Sequence, residues 1–160
     1  MVKIRTTPEE FQVKEQPPLP GLIIKDDINL PFAVFELTKT GWETQALISA
    51  ISKRIGIPVS SWGISGLKDK RSVTSQFVTI SRNYAPKNKV HGSGWTMTPF
   101  GGADRPLKSG DHRGNRFTIT VRDILHRDVQ LLPSRIAQVK SVGIPNWFDS
   151  QRFGSASEGL

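Results

Sequence analysis

The chain has 160 residues, of which 36% are hydrophobic and 22% charged, and this composition predicts one folded domain and not a disordered chain. It has no cysteine, which excludes disulfide bonds, thiolate metal sites and cysteine nucleophiles. Lysine and arginine number 22 against 14 acidic residues, and the net charge of +8 favours a polyanionic partner, nucleic acid first, over the alternative of an inert basic surface.

The first half of the chain predicts two strands and a helix. Phe11–Glu15 alternates apolar and polar residues, as a half-buried strand does, and Phe32–Thr40 is rich in aromatic and branched residues. Residues 44–54 carry apolar side chains three and four positions apart, which predicts a helix with Thr44 as its N-terminal cap. Gly56 is placed to end that helix.

The second half of the chain predicts further strands, at residues 73–82, 95–100 and 115–122, after a strand end and turn at 63–71. In the last of these strands Phe117, Ile119 and Val121 share one face. Residues 133–142 predict a second helix, with Pro133 in its first turn. Because several strands are adjacent without an intervening helix, the pattern predicts an α+β fold with a mainly antiparallel sheet.

Neither a membrane span nor a metal site is predicted. No apolar stretch reaches about 18 residues, and the first residues, MVKIRTTPEEF, lack the apolar core of a signal peptide. His91, His112 and His126 are far apart and lack the spacing of metal ligands. We therefore expect a cytoplasmic protein without a bound metal.

Asp69 stands directly beside Lys68, Lys70 and Arg71 in a turn that follows Gly66. Nearby positive charge favours the ionised form of a carboxylate, which can act as a nucleophile, a base or an electrostatic stabiliser. The same cations could hold a phosphate backbone next to it. On the residues alone, a solvated surface turn with ion pairs of ~0–1 kcal/mol each is the favoured alternative.

Two later segments combine polar and aromatic residues. In 110–117, GDHRGNRF, Asn115 can donate and accept hydrogen bonds, and Phe117 offers a flat face on which a base can stack. The alternative is a glycine–asparagine turn with Phe117 as the first core residue of a strand. In 146–154, NWFDSQRFG, Arg152 could grip a phosphate or a base, or the segment could be a loop whose aromatic residues enter the core.

These segments, with Phe11–Glu15, resemble in chain order the motifs of the TruD family of tRNA pseudouridine synthases. The matching residues are Phe11, Val13 and Glu15; Gly66, Lys68, Asp69, Thr74 and Gln76; Leu107, Gly110, Gly114, Asn115 and Phe117; and Pro145, Asn146, Phe148, Gln151, Arg152, Phe153 and Gly154. Four motifs in order over nearly the whole chain make the resemblance specific. Glu10, Trp147 and Asp149 stand where the family usually has Asp, Tyr and Gly.

The resemblance implies a pseudouridine-synthase fold, a mixed, mainly antiparallel sheet flanked by helices. It implies an enzyme that converts a uridine of tRNA, of the position 13 class, to pseudouridine without a cofactor. Asp69 would be the catalytic residue and would attack the nucleotide or begin glycal formation at the sugar. Asn115 would position Asp69, Phe117 would stack on a target base flipped out of the RNA, and Phe11 would line the same pocket. Lys68 and Arg152 would be charge partners of Asp69 or of phosphate.

The resemblance also implies an incomplete domain. Family members are roughly twice this length or longer and carry a second domain inserted after the Gln-Arg-Phe-Gly segment. We therefore expect residues 1–160 to be the N-terminal portion of a catalytic domain, ending near that insertion, and to be weakly active or inactive alone. Two alternatives remain: a non-catalytic basic RNA-binding module, and a structural protein of a ribonucleoprotein that binds RNA with steep salt dependence.

Overall fold

The structure, a computed structural model, describes residues 2–17, 22, 24–25 and 29–145. The chain divides into two compact units, one over residues 2–122 and one that contains the described residues from Asp123 onward. The strands are β1 (Lys3–Ile4), β2 (Phe11–Glu15), β3 (Ile24–Lys25), β4 (Phe32–Thr40), β5 (Trp62–Ile64), β6 (Val73–Ser81), β7 (Val90–Gly92), β8 (Trp95–Ala103), β9 (Asn115–Ile119) and β10 (Val121–Arg122). The α-helices are α1 (Thr44–Ile55) and α2 (His126–Val142), and short 3-10 turns lie at Pro8–Glu10, Val59–Ser61 and Arg82–Tyr84.

Eight strands in the described part of the chain form one mixed sheet. Its main order is β3-β8-β4-β6-β2-β9, with β5 paired to β6 and β7 paired to β8. β2 and β6 run parallel, with Gln12 opposite Val73, and the other described pairs are antiparallel. The predicted α+β fold with a mainly antiparallel sheet is therefore confirmed.

β4 lies inside the sheet because its sequence supplies apolar side chains to both faces. Phe35 and Leu37 belong to a core cluster with Leu47 and Ile51 of α1, so the helix covers one face of the sheet. Val34, whose side chain alternates to the other face, belongs to a second, smaller cluster. Burial of these side chains fixes the strand register, since a slip by one residue would exchange the two faces.

α1 has nearly the predicted bounds but a different cap. The side chain of Glu43, not Thr44, accepts hydrogen bonds from the backbone N–H groups of Gln45 and Ala46. The prediction of Thr44 as the cap is wrong, because Thr44 lies inside the first turn with no exposed surface. Gly56 ends the helix as predicted, in the left-handed conformation with φ of 74°.

The last two predicted elements differ from the structure in their bounds. The predicted strand 115–122 is divided into β9 and β10, because β9 pairs with β2 and β10 pairs with β1. The second helix begins at His126, not at Pro133, which lies inside α2. Proline is expected in a first turn because it lacks an N–H, whereas α2 continues past that lost donor. Neither described helix is long and apolar enough to cross a membrane.

We expect Gly63→Ala to lower the free energy of unfolding by ~1–3 kcal/mol, because a side chain at this position of β5 would overpack the sheet. A Cβ atom here would lie 2.7 Å from both the backbone N and O of Leu107 and would also collide with the Thr79 hydroxyl. Urea denaturation measures the loss.

Gly66→Ala is the matched control for Gly63→Ala, since the nearest atoms to a Cβ at residue 66 are 3.7 Å away. Equal stability of the two variants would contradict this account of the packing around β5.

Candidate active site

Asp69 lies in an irregular loop, residues 65–72, that joins β5 to β6. Its side chain is 62% exposed, and Oδ2 accepts a hydrogen bond from Nη2 of Arg5 at 3.3 Å. Arg5 precedes β2, and the parallel pairing of β2 with β6 brings the segments before both strands to the same edge of the sheet. The predicted reactive carboxylate is therefore open to solvent and has a cation beside it.

Glu10 fixes the segment that carries Arg5. Its carboxylate accepts a hydrogen bond from the backbone N–H of Thr6 at 2.8 Å and also binds Arg122 of β10. The hydrogen bond from Arg122 is the main cause that holds the pKa of Glu10 below its usual range. Because Glu10 directly precedes β2, these contacts fasten the turn that contains Arg5 to the sheet.

Two phenylalanine rings continue the site from Arg5. The guanidinium carbon of Arg5 lies 3.7 Å from the centroid of the buried Phe11 ring, a cation–π contact. Phe11 in turn meets Phe117 of β9 edge to face, with ring centroids 6.0 Å apart. Phe117 is 56% exposed, so its ring, unlike that of Phe11, is available to a bound base. Asp69, Arg5, Phe11 and Phe117 thus form a continuous row of contacts.

A buried ion pair joins the loop 65–72 to the sheet. Nζ of Lys68 lies 2.7 Å from Oε2 of Glu15, and both side chains are buried, at 6% and 0% exposure. The other carboxylate oxygen of Glu15 accepts hydrogen bonds from the Ser65 hydroxyl and from the backbone N–H of Phe77. Lys68 therefore joins the loop to β2, and its predicted contact with Asp69 or phosphate stays a prediction.

Lys39, near the end of β4, also reaches the loop and is 1% exposed. Its ammonium donates hydrogen bonds to the backbone oxygens of Trp42, Lys68 and Asp69, at 2.8, 3.1 and 2.9 Å. Among the described residues no carboxylate forms an ion pair with it. Burial lowers the pKa of Lys39 to about 8, against the attraction of Glu43 and Asp69.

Asn115 begins β9 directly opposite Glu15. Its side-chain oxygen is buried, and within residues 2–145 as far as they are described it has no hydrogen-bond partner; the same holds for Nδ1 of His112. Such atoms can pair with groups of a bound ligand. In the same described range no hydrogen bond joins Asn115 to Asp69, so its role in positioning Asp69 stays a prediction.

The structure brings five of the six predicted site residues into one compact unit: Phe11, Lys68, Asp69, Asn115 and Phe117. Arg152 lies outside the described residues. Sequence reasoning missed Arg5 and Lys39, since neither a lone arginine before a strand nor a lysine within one carries a local signal. In the described part of the chain no group of three or more histidine, aspartate or glutamate side chains could hold a metal ion.

Comparison with known proteins gives consistent matches. Residues 1–158 match the family model described as tRNA pseudouridine synthase D (TruD). The protein of Pyrococcus furiosus named probable tRNA pseudouridine synthase D is 39% identical over 95% of this chain and 35% of its own length. The tRNA pseudouridine synthase D of Aquifex aeolicus is 33% identical over 96% of this chain and 40% of its own length.

A solved structure supports the same comparison. A crystal structure from Methanosarcina mazei with the same protein name matches 95% of this chain and 35% of that chain, with a TM-score of 0.82 and 28% identity. The pseudouridine-synthase type of fold is therefore confirmed. The chain spans only 35% and 40% of the two curated relatives.

We expect Lys68→Ala to lower the free energy of unfolding by ~3–5 kcal/mol, because it leaves the carboxylate of Glu15 buried without its cation. Urea denaturation measures this loss. Lys70→Ala removes an exposed cation two positions later and should change stability by less than ~0.5 kcal/mol. If Lys68→Ala were as stable as Lys70→Ala, the buried pair would not hold the loop.

The stability contribution of Lys39 should depend on pH in a defined direction. Its pKa is about 8 in the folded protein, against an ordinary value of 10.5, so between these values the unfolded chain binds more protons. Stability should therefore rise with pH across this range, as the cost of burying the charge disappears.

Urea denaturation from pH 7.5 to 10.5 can isolate this effect as the difference between wild type and Lys39→Met, because the neighbouring Glu43, Asp69 and Lys68 are common to both. The difference should move in favour of wild type as pH rises. A difference that stays flat, or moves the other way, would show that burial does not lower this pKa.

Proposed function

Because the chain belongs to the TruD family of tRNA pseudouridine synthases, we propose that its protein converts a uridine of tRNA, of the position 13 class, to pseudouridine. In this isomerisation the bond between the sugar and N1 of uracil breaks, the base turns, and C5 of uracil bonds to the same sugar carbon. The proton leaves C5 and N1 gains one, so no oxidant or reductant is consumed. The proposal uses no cofactor and requires tRNA as the partner.

The observation that carries the proposal is the row of contacts from the exposed carboxylate of Asp69 through Arg5 and Phe11 to the exposed ring of Phe117. An exposed carboxylate can attack the nucleotide or assist glycal formation at the sugar, and a base flipped out of the RNA needs a flat surface on which to stack. Both groups lie in one unit of the fold.

Arg5 has a definite part in this proposal. Its guanidinium lies 3.3 Å from the carboxylate of Asp69 and 3.7 Å from the ring centroid of Phe11. Since guanidinium groups also bind phosphate through parallel hydrogen bonds, Arg5 can transfer from the carboxylate to the RNA backbone when substrate binds. Asp69 is then free to react.

The net charge of +8 supports RNA as the substrate, since contacts between cations and phosphates supply most of the non-specific affinity for nucleic acid. We place the reaction in the cytoplasm because tRNA is the proposed substrate. We also propose that residues 1–160 are the N-terminal portion of a catalytic domain, since they match only 35% and 40% of the length of relatives.

Asp69→Asn tests the proposal in the protein produced from the complete reading frame. The substitution keeps the shape of the side chain but removes its charge, so pseudouridine formation in unmodified tRNA should fall by at least ~1,000-fold, roughly the cost of removing a nucleophile. Filter binding should give a tRNA affinity within about threefold of wild type, because phosphate contacts supply it.

Asp104→Asn is the matched control, because Asp104 is an exposed aspartate in the same unit. It should convert tRNA at the wild-type rate. Conversion by Asp69→Asn at the wild-type rate would exclude Asp69 as the reactive group, and tRNA binding without conversion by wild type would favour a non-catalytic RNA-binding module.

A further inference from the structure

The side of the Asp69 loop that faces the sheet contacts buried polar side chains that the proposed chemistry does not use. Lys39, Thr44 and Gln76 are all 1% exposed or less. They come from three different elements, β4, α1 and β6. Buried polar groups of this kind are costly unless each has a hydrogen-bond partner. The partners that these three side chains share therefore indicate their role.

The shared partners are backbone groups of residues 66–69. The amide of Gln76 donates to the oxygen of Gly66 at 3.1 Å, and the Thr44 hydroxyl accepts from the N–H of Lys68 at 3.0 Å. Lys39 then donates to the oxygens of Lys68 and Asp69. Side chains thus replace the regular backbone pairing that an irregular loop lacks.

Lys39 differs from its two neighbours because it carries a charge. All three protons of its ammonium are directed at backbone oxygens, at 2.8, 3.1 and 2.9 Å. Neutral acceptors compensate a buried cation less well than a carboxylate does, which agrees with its pKa of about 8. A buried ammonium without a carboxylate partner costs desolvation energy, so stability alone is a poor explanation of this side chain.

The outer side of the loop cannot supply the same restraint. There Asp69 is held by Arg5, and the two side chains are 62% and 42% exposed. Water and salt screen such a pair, and Arg5 is the group that the substrate is proposed to displace. The position of Asp69 during the reaction must therefore come from contacts on the inner side.

We propose that Lys39 is a positioning residue of the reaction: its ammonium binds the consecutive carbonyl oxygens of Lys68 and Asp69 and thereby fixes the point from which the Asp69 carboxylate leaves the loop. This inference rests on the proposed function. Lys39 contacts neither substrate nor the carboxylate itself in this arrangement. A shift of about 1 Å in a reacting group can cost about 100-fold in rate, which sets the size of the expected effect.

Lys39→Met tests the inference in the protein from the complete reading frame, because methionine keeps a long, unbranched side chain and removes the donors. Two measurements are needed: kcat and KM for unmodified tRNA, and hydrogen exchange of peptides that cover residues 65–72, β4 and β6. We expect kcat to fall about 100-fold with KM within about threefold. Exchange in the loop should quicken by about tenfold while β4 and β6 stay protected.

Two further variants sharpen the result. Thr44→Val removes the acceptor of the Lys68 N–H but leaves Lys39 in place, and it should lower kcat by about tenfold, again with little change in KM. Lys14→Met is the matched control, because its side chain lies on β2 at 65% exposure and contacts Glu36, not the loop. It should leave kcat and loop exchange unchanged.

Each of these results either supports or contradicts the positioning role of Lys39. The inference is overturned if Lys39→Met keeps wild-type kcat, if β4 and β6 lose protection together with the loop, or if the variant does not fold, since Lys39 would then serve the whole fold. Failure of the proposed function has a different signature: wild-type protein makes no pseudouridine, whereas loop exchange in Lys39→Met still quickens.

Discussion

The buried carboxylate of Glu15 is the group on which the arrangement of the site depends. It binds Lys68 and Ser65 of the loop and the backbone N–H of Phe77 in β6, and its own strand is β2. An unpaired charge in the interior is costly, so the loop cannot leave the sheet without leaving the carboxylate of Glu15 uncompensated. The path of the loop is therefore determined by its buried contacts with Glu15.

This arrangement separates the buried, structural charges from the carboxylate that is proposed to react. Glu15 and Lys68 are buried and mutually paired, whereas the side chain of Asp69, the next residue, is exposed and accepts a hydrogen bond from Arg5. Adjacent residues thus have opposite environments because the loop turns its successive side chains to opposite sides. In the proposed mechanism the first pair holds its geometry while the second exchanges partners with the RNA.

The sequence predicted the elements whose signal is local. Phe32–Thr40 has the predicted bounds, because aromatic and branched residues in succession favour a strand at any position in a fold. The division of 115–122 into two strands was not predicted, because it depends on separate partners, β2 and β1, that are distant in sequence. Pro133 was misleading because proline favours a first turn, whereas α2 begins at His126 and includes Pro133 in its interior.

The sequence also indicated part of the candidate site, whose roles stay a prediction. Asp69, Phe11 and Phe117 were identified from motifs, and the contacts of Phe11 with Phe117 bring two of those motifs together. Arg5 and Lys39 were not identified, because the contact of Arg5 depends on strand pairing and those of Lys39 on its burial in the fold. Lys39 lies in β4. The alternation of apolar and polar residues along a strand does not predict which backbone oxygens its ammonium can reach.

The parallel pairing of β2 with β6 determines when this site can first exist as the chain folds. About sixty residues separate Gln12 from Val73, so the pair closes a long segment whose entropy opposes it until β4 and α1 are in place. Until then Glu15 remains hydrated and Arg5 is remote from Asp69. A newly made chain that has not joined these two strands therefore lacks the contact between Arg5 and Asp69.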